Sequence, residues 1–143
     1  MYLLSCQPRT VFKKGNIEID YLDKFRCLHL NWGGNITEEV YISIMTEMLK
    51  FSEKLKVEFW LLDARDGDNF QLFDRNWASQ FFTQDLPKHS VKKIARIAGG
   101  DFHFETQISG LISEILRGKD IPFRFKYLPD ADQALTWFLN EED

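Results

Sequence analysis

Cysteine and net positive charge are both scarce in this 143-residue chain, and each scarcity excludes something. Two thiols, Cys6 and Cys27, make neither a disulfide framework nor a zinc knuckle. Neither has an adjacent His or Lys to turn it into a reactive thiolate. No apolar run approaches the roughly 18 residues that a membrane span requires. The short Leu3-Leu4-Ser5-Cys6 stretch lacks the basic start and apolar length of a signal core. Eighteen basic against twenty-two acidic side chains give a net charge of −4, whereas a nucleic-acid binder needs a basic stripe to displace counterions from phosphates. The nearest cluster, Arg117, Lys119, Arg124 and Lys126, is interrupted by Asp120 and reads as a helix end followed by an exposed strand face. These absences point to a cytoplasmic protein with no nucleic-acid partner and no membrane insertion.

What is abundant is apolar bulk. Hydrophobic residues make up 44% of the chain and aromatics 15%, with thirteen Phe, which is ample core for one domain of this length. Residues 1–15 read as a loosely ordered arm. Asn16–Leu22 alternates, with Ile17, Ile19 and Tyr21 on one face and Glu18 and Asp20 on a wet one, as a half-buried strand does. Asp23-Lys24 reverses the chain into Phe25–Trp32, and so short a gap demands an antiparallel hairpin. Gly33-Gly34 closes that strand.

Thr37, followed by Glu38 and Glu39, opens a helix whose stripe is Val40, Ile44, Met48, Phe51 and Leu55. Val57–Asp63 is apolar enough to be an internal strand buried on both faces. Phe70, Phe73, Trp77 and Phe81 predict a helix over 70–84, ended by Pro87. Lys92–Ala98 is a further strand, and Phe104, Ile108, Leu111, Ile112 and Ile115 mark the next helix, with Gly118 at its left-handed C-cap. Phe123–Tyr127 alternates with Arg124 and Lys126 outward, as an edge strand does. Asp130 with Gln133 then caps a closing helix with Ala134, Leu135 and Phe138 inward.

The order ββαβαβαβα predicts an α/β domain. Its five-stranded, mostly parallel mixed sheet is covered by four helices, with an antiparallel arm at the start.

Several strings in this layout resemble known proteins. Trp60-Leu61-Leu62-Asp63-Ala64-Arg65, Asp74-Arg75-Asn76-Trp77, Lys93-Ile94-Ala95 and Ala134-Leu135-Thr136-Trp137-Phe138 resemble, in order and spacing, the motifs of the SpoIIAA-like family. These are small bacterial proteins grouped with STAS and CRAL-TRIO-type domains. The resemblance covers roughly residues 16 to 139 and implies a fold more than a chemistry. Anti-sigma-factor antagonists of that fold carry a phosphorylatable Ser at the start of the second crossover helix. Here the segment reads Asp66-Gly67-Asp68-Asn69-Phe70-Gln71, without a hydroxyl.

No catalytic constellation emerges. His29, His89 and His103 are scattered, and Ser52, Ser79 and Ser90 sit in no nucleophile elbow. Gly99-Gly100-Asp101-Phe102-His103 lacks a phosphate-binding fingerprint and reads as a turn. Ligands of open parallel sheets gather beyond the carboxyl ends of strands, so the candidate ligand- or partner-binding residues are Asp63, Arg65, Asp66 and Asp68, together with Trp77. No metal is expected there: the spacing does not fit a D-x-D-x-D-G calcium loop, and Arg65 with backbone donors can offset the acids. Trp32, Trp60, Trp77 and Trp137 read as core, or as the lining of an apolar pocket. Three functional classes remain open. One is a non-enzymatic interaction or regulatory domain, acting on a protein partner or as a homodimer; the others are a carrier of a small apolar ligand and an enzyme. No cofactor is implied.

Overall fold

The computed structural model describes residues 7–34, 36–67, 74–99 and 102–140, with the backbone alone at 102–104. Six strands form one sheet in chain order: β1 (Arg9–Lys14), β2 (Ile17–Leu22), β3 (Cys27–Gly34), β4 (Phe59–Gly67), β5 (Lys93–Ile97) and β6 (Arg124–Tyr127). The first two pairings are antiparallel, and β3 through β6 are parallel. β4 is therefore internal and β6 is an edge, both as expected.

The sheet has six strands rather than five because residues 9–14, expected within a loose arm, pair with β2. Thr10, Val11 and Phe12 favour extended backbone. Gly15, at φ +59°, makes the tight turn that sets Lys14 opposite Ile17. Only Val11 and Phe12 touch the core, and flanking Arg9, Lys13 and Lys14 hide that short apolar run from a periodicity reading.

Helix α1 (Glu38–Leu55) starts as expected, with the Thr37 hydroxyl accepting from the Val40 amide at 3.2 Å. Its buried stripe is turned slightly from the expected one, onto Tyr41, Ile44, Met45, Met48 and Ser52. The helix expected over 70–84 is shorter. Asp74 accepts from the Trp77 amide at 2.9 Å and so caps α2 (Arg75–Gln80), while Phe70 and Phe73 lie outside the described residues. The Asp74 amide in turn donates to Glu38 at 2.8 Å, tying the starts of α1 and α2 together. A π-helical turn (Phe81–Asp85) and a 3₁₀ turn (Leu86–Lys88) follow. The wider turn lets consecutive Phe81 and Phe82 both point inward. Helix α3 (Phe102–Leu116) is followed by Gly118 at φ +69°, and α4 (Ala131–Leu139) is capped by Asp130, which accepts from the Gln133 amide at 2.8 Å. No helix among the described residues is long and apolar enough to cross a membrane.

Two cores result. Trp60, Leu62 and Ile94 on one sheet face meet α1, α2 and α3, whereas Cys27, Leu61, Ala95 and Ile97 on the other meet only α4 and the turn at Phe25. Lys93 pins α4 there. Its buried ammonium donates to the carbonyls of Trp137 (2.7 Å) and Asn140 (2.6 Å) at the helix end, where the Trp137 carbonyl also accepts from the Asn140 amide at 3.1 Å. Trp137 is buried in α4 together with Ala134, Leu135 and Phe138.

Trp32, Trp60 and Trp137 are core, but Trp77 is half-buried. It packs edge-on to Tyr41 (5.8 Å) and stacks on Phe81 (5.0 Å). Trp60, by contrast, is 0% exposed and donates its indole N–H to Ser52 at 2.8 Å. Trp60→Ala should cost about 3–5 kcal/mol and Trp77→Ala about half as much. Urea denaturation midpoints of the two variants check this, and equal losses would contradict it.

Candidate functional site

On the α4 side of the sheet, beyond α4 itself, a polar seam crosses the strands. Alternation puts Glu18, Asp20 and Leu22 of β2 on this face, with His29 and Asn31 of β3 and Leu61, Asp63 and Arg65 of β4. The hairpin register sets Asp20 directly opposite His29, and the parallel register sets Asn31 beside Asp63. The Thr10 hydroxyl donates to Asp20 at 2.9 Å, which carries the seam onto β1.

The expected loop at 63–68 is largely strand. Ala64–Gly67 continue β4, and past a bulge between Asn31 and Gly33 Asp66 pairs with Gly33 and Gly67 with Gly34, so Asp66-Gly67 is not a turn. Gly33 is pressed against the β1–β2 turn, where a Cβ would run into the Asn16 carbonyl. Asp68 lies outside the described residues.

Asp63 and Arg65 are brought together as the spacing suggests. The guanidinium reaches both carboxylate oxygens (Nε–Oδ1 3.0 Å, Nη2–Oδ2 2.7 Å), and the Arg65 amide adds a third bond to Oδ1 at 3.1 Å. Burial on its own would raise the Asp63 pKa, but the bonds from Arg65 outweigh it and hold the carboxyl below its usual range. Arg65, half exposed, also feels Asp66 and the α4 cap Asp130. Trp77 is not part of this site: it belongs to the α1–α2 layer on the opposite face.

Two residues of the seam escape a reading of the sequence. Asp20, expected on a wet face, and His29 are 9% and 8% exposed. His29 Nε2 is buried without a hydrogen-bond partner. Burial pushes the imidazole pKa down, against the pull of Asp63 and Asp20 and with help from Arg65. A signal is present: the four-residue connection Asp23–Arg26 makes Leu22 and Cys27 partners, which sets Asp20 opposite His29.

A second ionic centre lies under the helices. Arg96, 6% exposed, forks onto Glu105 of α3 (Nε–Oε1 2.9 Å, Nη2–Oε2 3.1 Å), and the Gly99 amide donates to the same carboxylate at 2.9 Å. Gly99 is pressed against Ala64, where a Cβ would lie 2.9 Å from the carbonyl oxygen. That role answers the glycine pair seen in sequence, although Gly100, Asp101 and the side chains of Phe102 and His103 lie outside the described residues. Tyr41 faces this centre, and burial raises its pKa to about 12 despite Arg96 nearby. Elsewhere, His89 lies 3.4 Å from Glu53, and Cys27 is buried with its thiol on the Leu28 carbonyl. Among the described residues no group of three or more His, Cys, Asp or Glu is placed to hold a metal ion.

Two measurements check the seam. Because Arg65 already offsets Asp63, millimolar calcium or magnesium should leave the melting temperature unchanged. A cation at a hundred times its Kd would instead add about 2.7 kcal/mol, a shift of several degrees; a rise that vanishes in Asp66→Asn would contradict the pairing. His29, with its pKa depressed on folding, favours the folded state above its unfolded value near 6.5 and loses that contribution as pH falls from there through its lower folded value. Melting temperature should therefore drop between pH 7 and pH 5, and His29→Gln should flatten the drop in that window. The lowered Asp63 pKa acts only further down, below about pH 4.

No family model matches the chain, and no curated protein does. Among solved structures it is similar to the crystal structure of an uncharacterized protein of the DUF3478 family, with a SpoIIAA-like fold, from Shewanella loihica. The two are 18% identical, with 92% of each chain covered and a TM-score of 0.47. That neighbour is SpoIIAA-like, as are the proteins the motifs of this chain resemble. At this identity and score the likeness says nothing of a ligand, partner or reaction.

Proposed function

We propose that the chain is a non-enzymatic interaction or regulatory domain that acts through its surface, on a protein partner or a second copy of itself. The observation that carries this reading is the internal commitment of its charged groups. Asp63 is held by Arg65, Arg96 by Glu105, and Lys93 by the carbonyls of α4. A catalytic acid or base needs a proton it can exchange with substrate, and these groups are engaged with one another instead. The segment from Asp66 to Gln71 carries no hydroxyl, so regulation through a phosphoserine there is not part of the proposal.

Carriage of a small apolar ligand is the second reading, and among the described residues the space enclosed beneath the helices is too small for one. Between the sheet and the helices lies a cavity of about 10 Å³, with Tyr41, Met45, Trp60, Leu62, Arg96 and Phe125 in its walls. That is room for one water, against the roughly 300–1,000 Å³ of small-molecule sites. Native mass spectrometry of freshly purified protein tests the choice. The expected spectrum holds the bare chain or its multiples. A stoichiometric adduct of lipid size would overturn the interaction reading in favour of a carrier.

A further inference from the structure

Resting on that reading, one surface can be singled out. β6 closes the sheet, with no described strand beyond it. Arg124 and Leu128 donate inward, to the carbonyls of Lys92 (2.9 Å) and Arg96 (3.0 Å). By the alternation of a parallel ladder, the N–H and C=O groups of Phe125 and Tyr127 therefore point outward, away from β5. Alongside, between β6 and α3, runs an open groove of about 340 Å³ lined by Ser109, Ile112, Ser113, Leu116, Arg117 and Phe125. It offers apolar walls and a cation.

Charge decides what fits. Exposed Arg124 and Lys126 stand on the other face of β6, and exposed Arg117 and Lys119 follow the end of α3, with Asp120 the acid among them. These cations cluster on a protein whose net charge is −4. The opposite edge, β1, is basic as well, through Arg9, Lys13 and Lys14. Pairing either edge with an edge of a second copy would set like charges against each other. An acidic strand meets no such repulsion.

We propose that the β6 edge and the α3 groove accept an extended, acidic segment of a partner protein as a seventh strand. Its main chain bonds to Phe125 and Tyr127, an apolar side chain enters the groove, and its carboxylates face Arg117, Lys119, Arg124 and Lys126. Pro122 and Pro129 flank the strand, so the engaged segment is short, about four residues.

Fluorescence anisotropy with labelled peptides tests this on the whole chain. An alternating Val-Glu decapeptide should bind, more weakly as salt is raised. N-methylation of alternate peptide amides along one edge should abolish binding, because strand addition needs those donors. Arg124→Glu with Lys126→Glu should weaken binding about tenfold. Arg117→Glu with Lys119→Glu, which leaves β6 untouched, should weaken it as well. The proposal falls if the Val-Glu peptide gives no change up to about 1 mM, or if an alternating Val-Lys peptide binds equally well. It falls too if N-methylation has no effect, or if a single-stranded oligothymidylate binds more tightly and so marks a nucleic-acid surface. A failed peptide experiment beside an adduct-free native spectrum removes this surface and leaves the interaction reading standing. An adduct removes that reading whatever the peptides do.

Discussion

From β3 to β6 the chain never reverses along the sheet: each new parallel strand is added on the same side of the last. Crossovers between parallel strands are right-handed, so an unbroken progression sends every crossover to one face. α1, α2 and α3 all lie there and make the larger core. The other face receives only α4, the nine-residue helix that comes after β6. Almost everything else about the molecule depends on this lopsided covering.

A sheet face covered by one short helix cannot be apolar throughout. Under α4 it is: Leu61, Ala95 and Ile97 meet Leu135 and Phe138. Beyond α4 the same alternation must present polar groups, and there Asp20, His29, Asp63 and Arg65 form the seam. Burial forces each of these groups to find a partner or lose its charge. Asp63 takes Arg65, Asp20 takes Thr10, and burial biases His29 toward its neutral form. Lys93, at the start of β5 and away from the seam, uses its ammonium to hold the end of α4. The polar side chains of this face thus serve the fold, and the capacity to engage a partner shifts outward, to the sheet edges and their charges.

How much of this is legible in the sequence varies with the range of the interaction. Thr37, Asp130 and Gly118 announce helix ends because capping involves neighbours a few residues away. Asp63 and Arg65 find each other because two residues on a strand separate side chains on the same face. β1 stays hidden because an edge strand made of Arg9, Thr10, Val11, Phe12, Lys13 and Lys14 gains its stability only by pairing with β2. The continuation of β4 through Gly67 is hidden for a similar reason: acids and a glycine look like a loop until β3 supplies the ladder. Trp77 reads as the centre of a helical face, yet Asp74 caps the helix three residues before it and leaves the ring at the rim.

The amino-acid order thus settled most local matters: which segments are strands or helices, β1 and the end of β4 apart, which strand is internal, where most helices begin, and which acid pairs with which base two residues on. These depend on steric preference and on hydrogen bonds within a few residues. The tertiary structure decided which distant residues share a face. It set His29 against Asp20, placed Trp77 and Asp63 on opposite sides of the sheet, put Arg96 beneath Glu105, and made β1 and β6 the two basic edges. Those outcomes rest on strand order and crossover direction, which are properties of the closed sheet and leave no mark on the periodicity of any one segment.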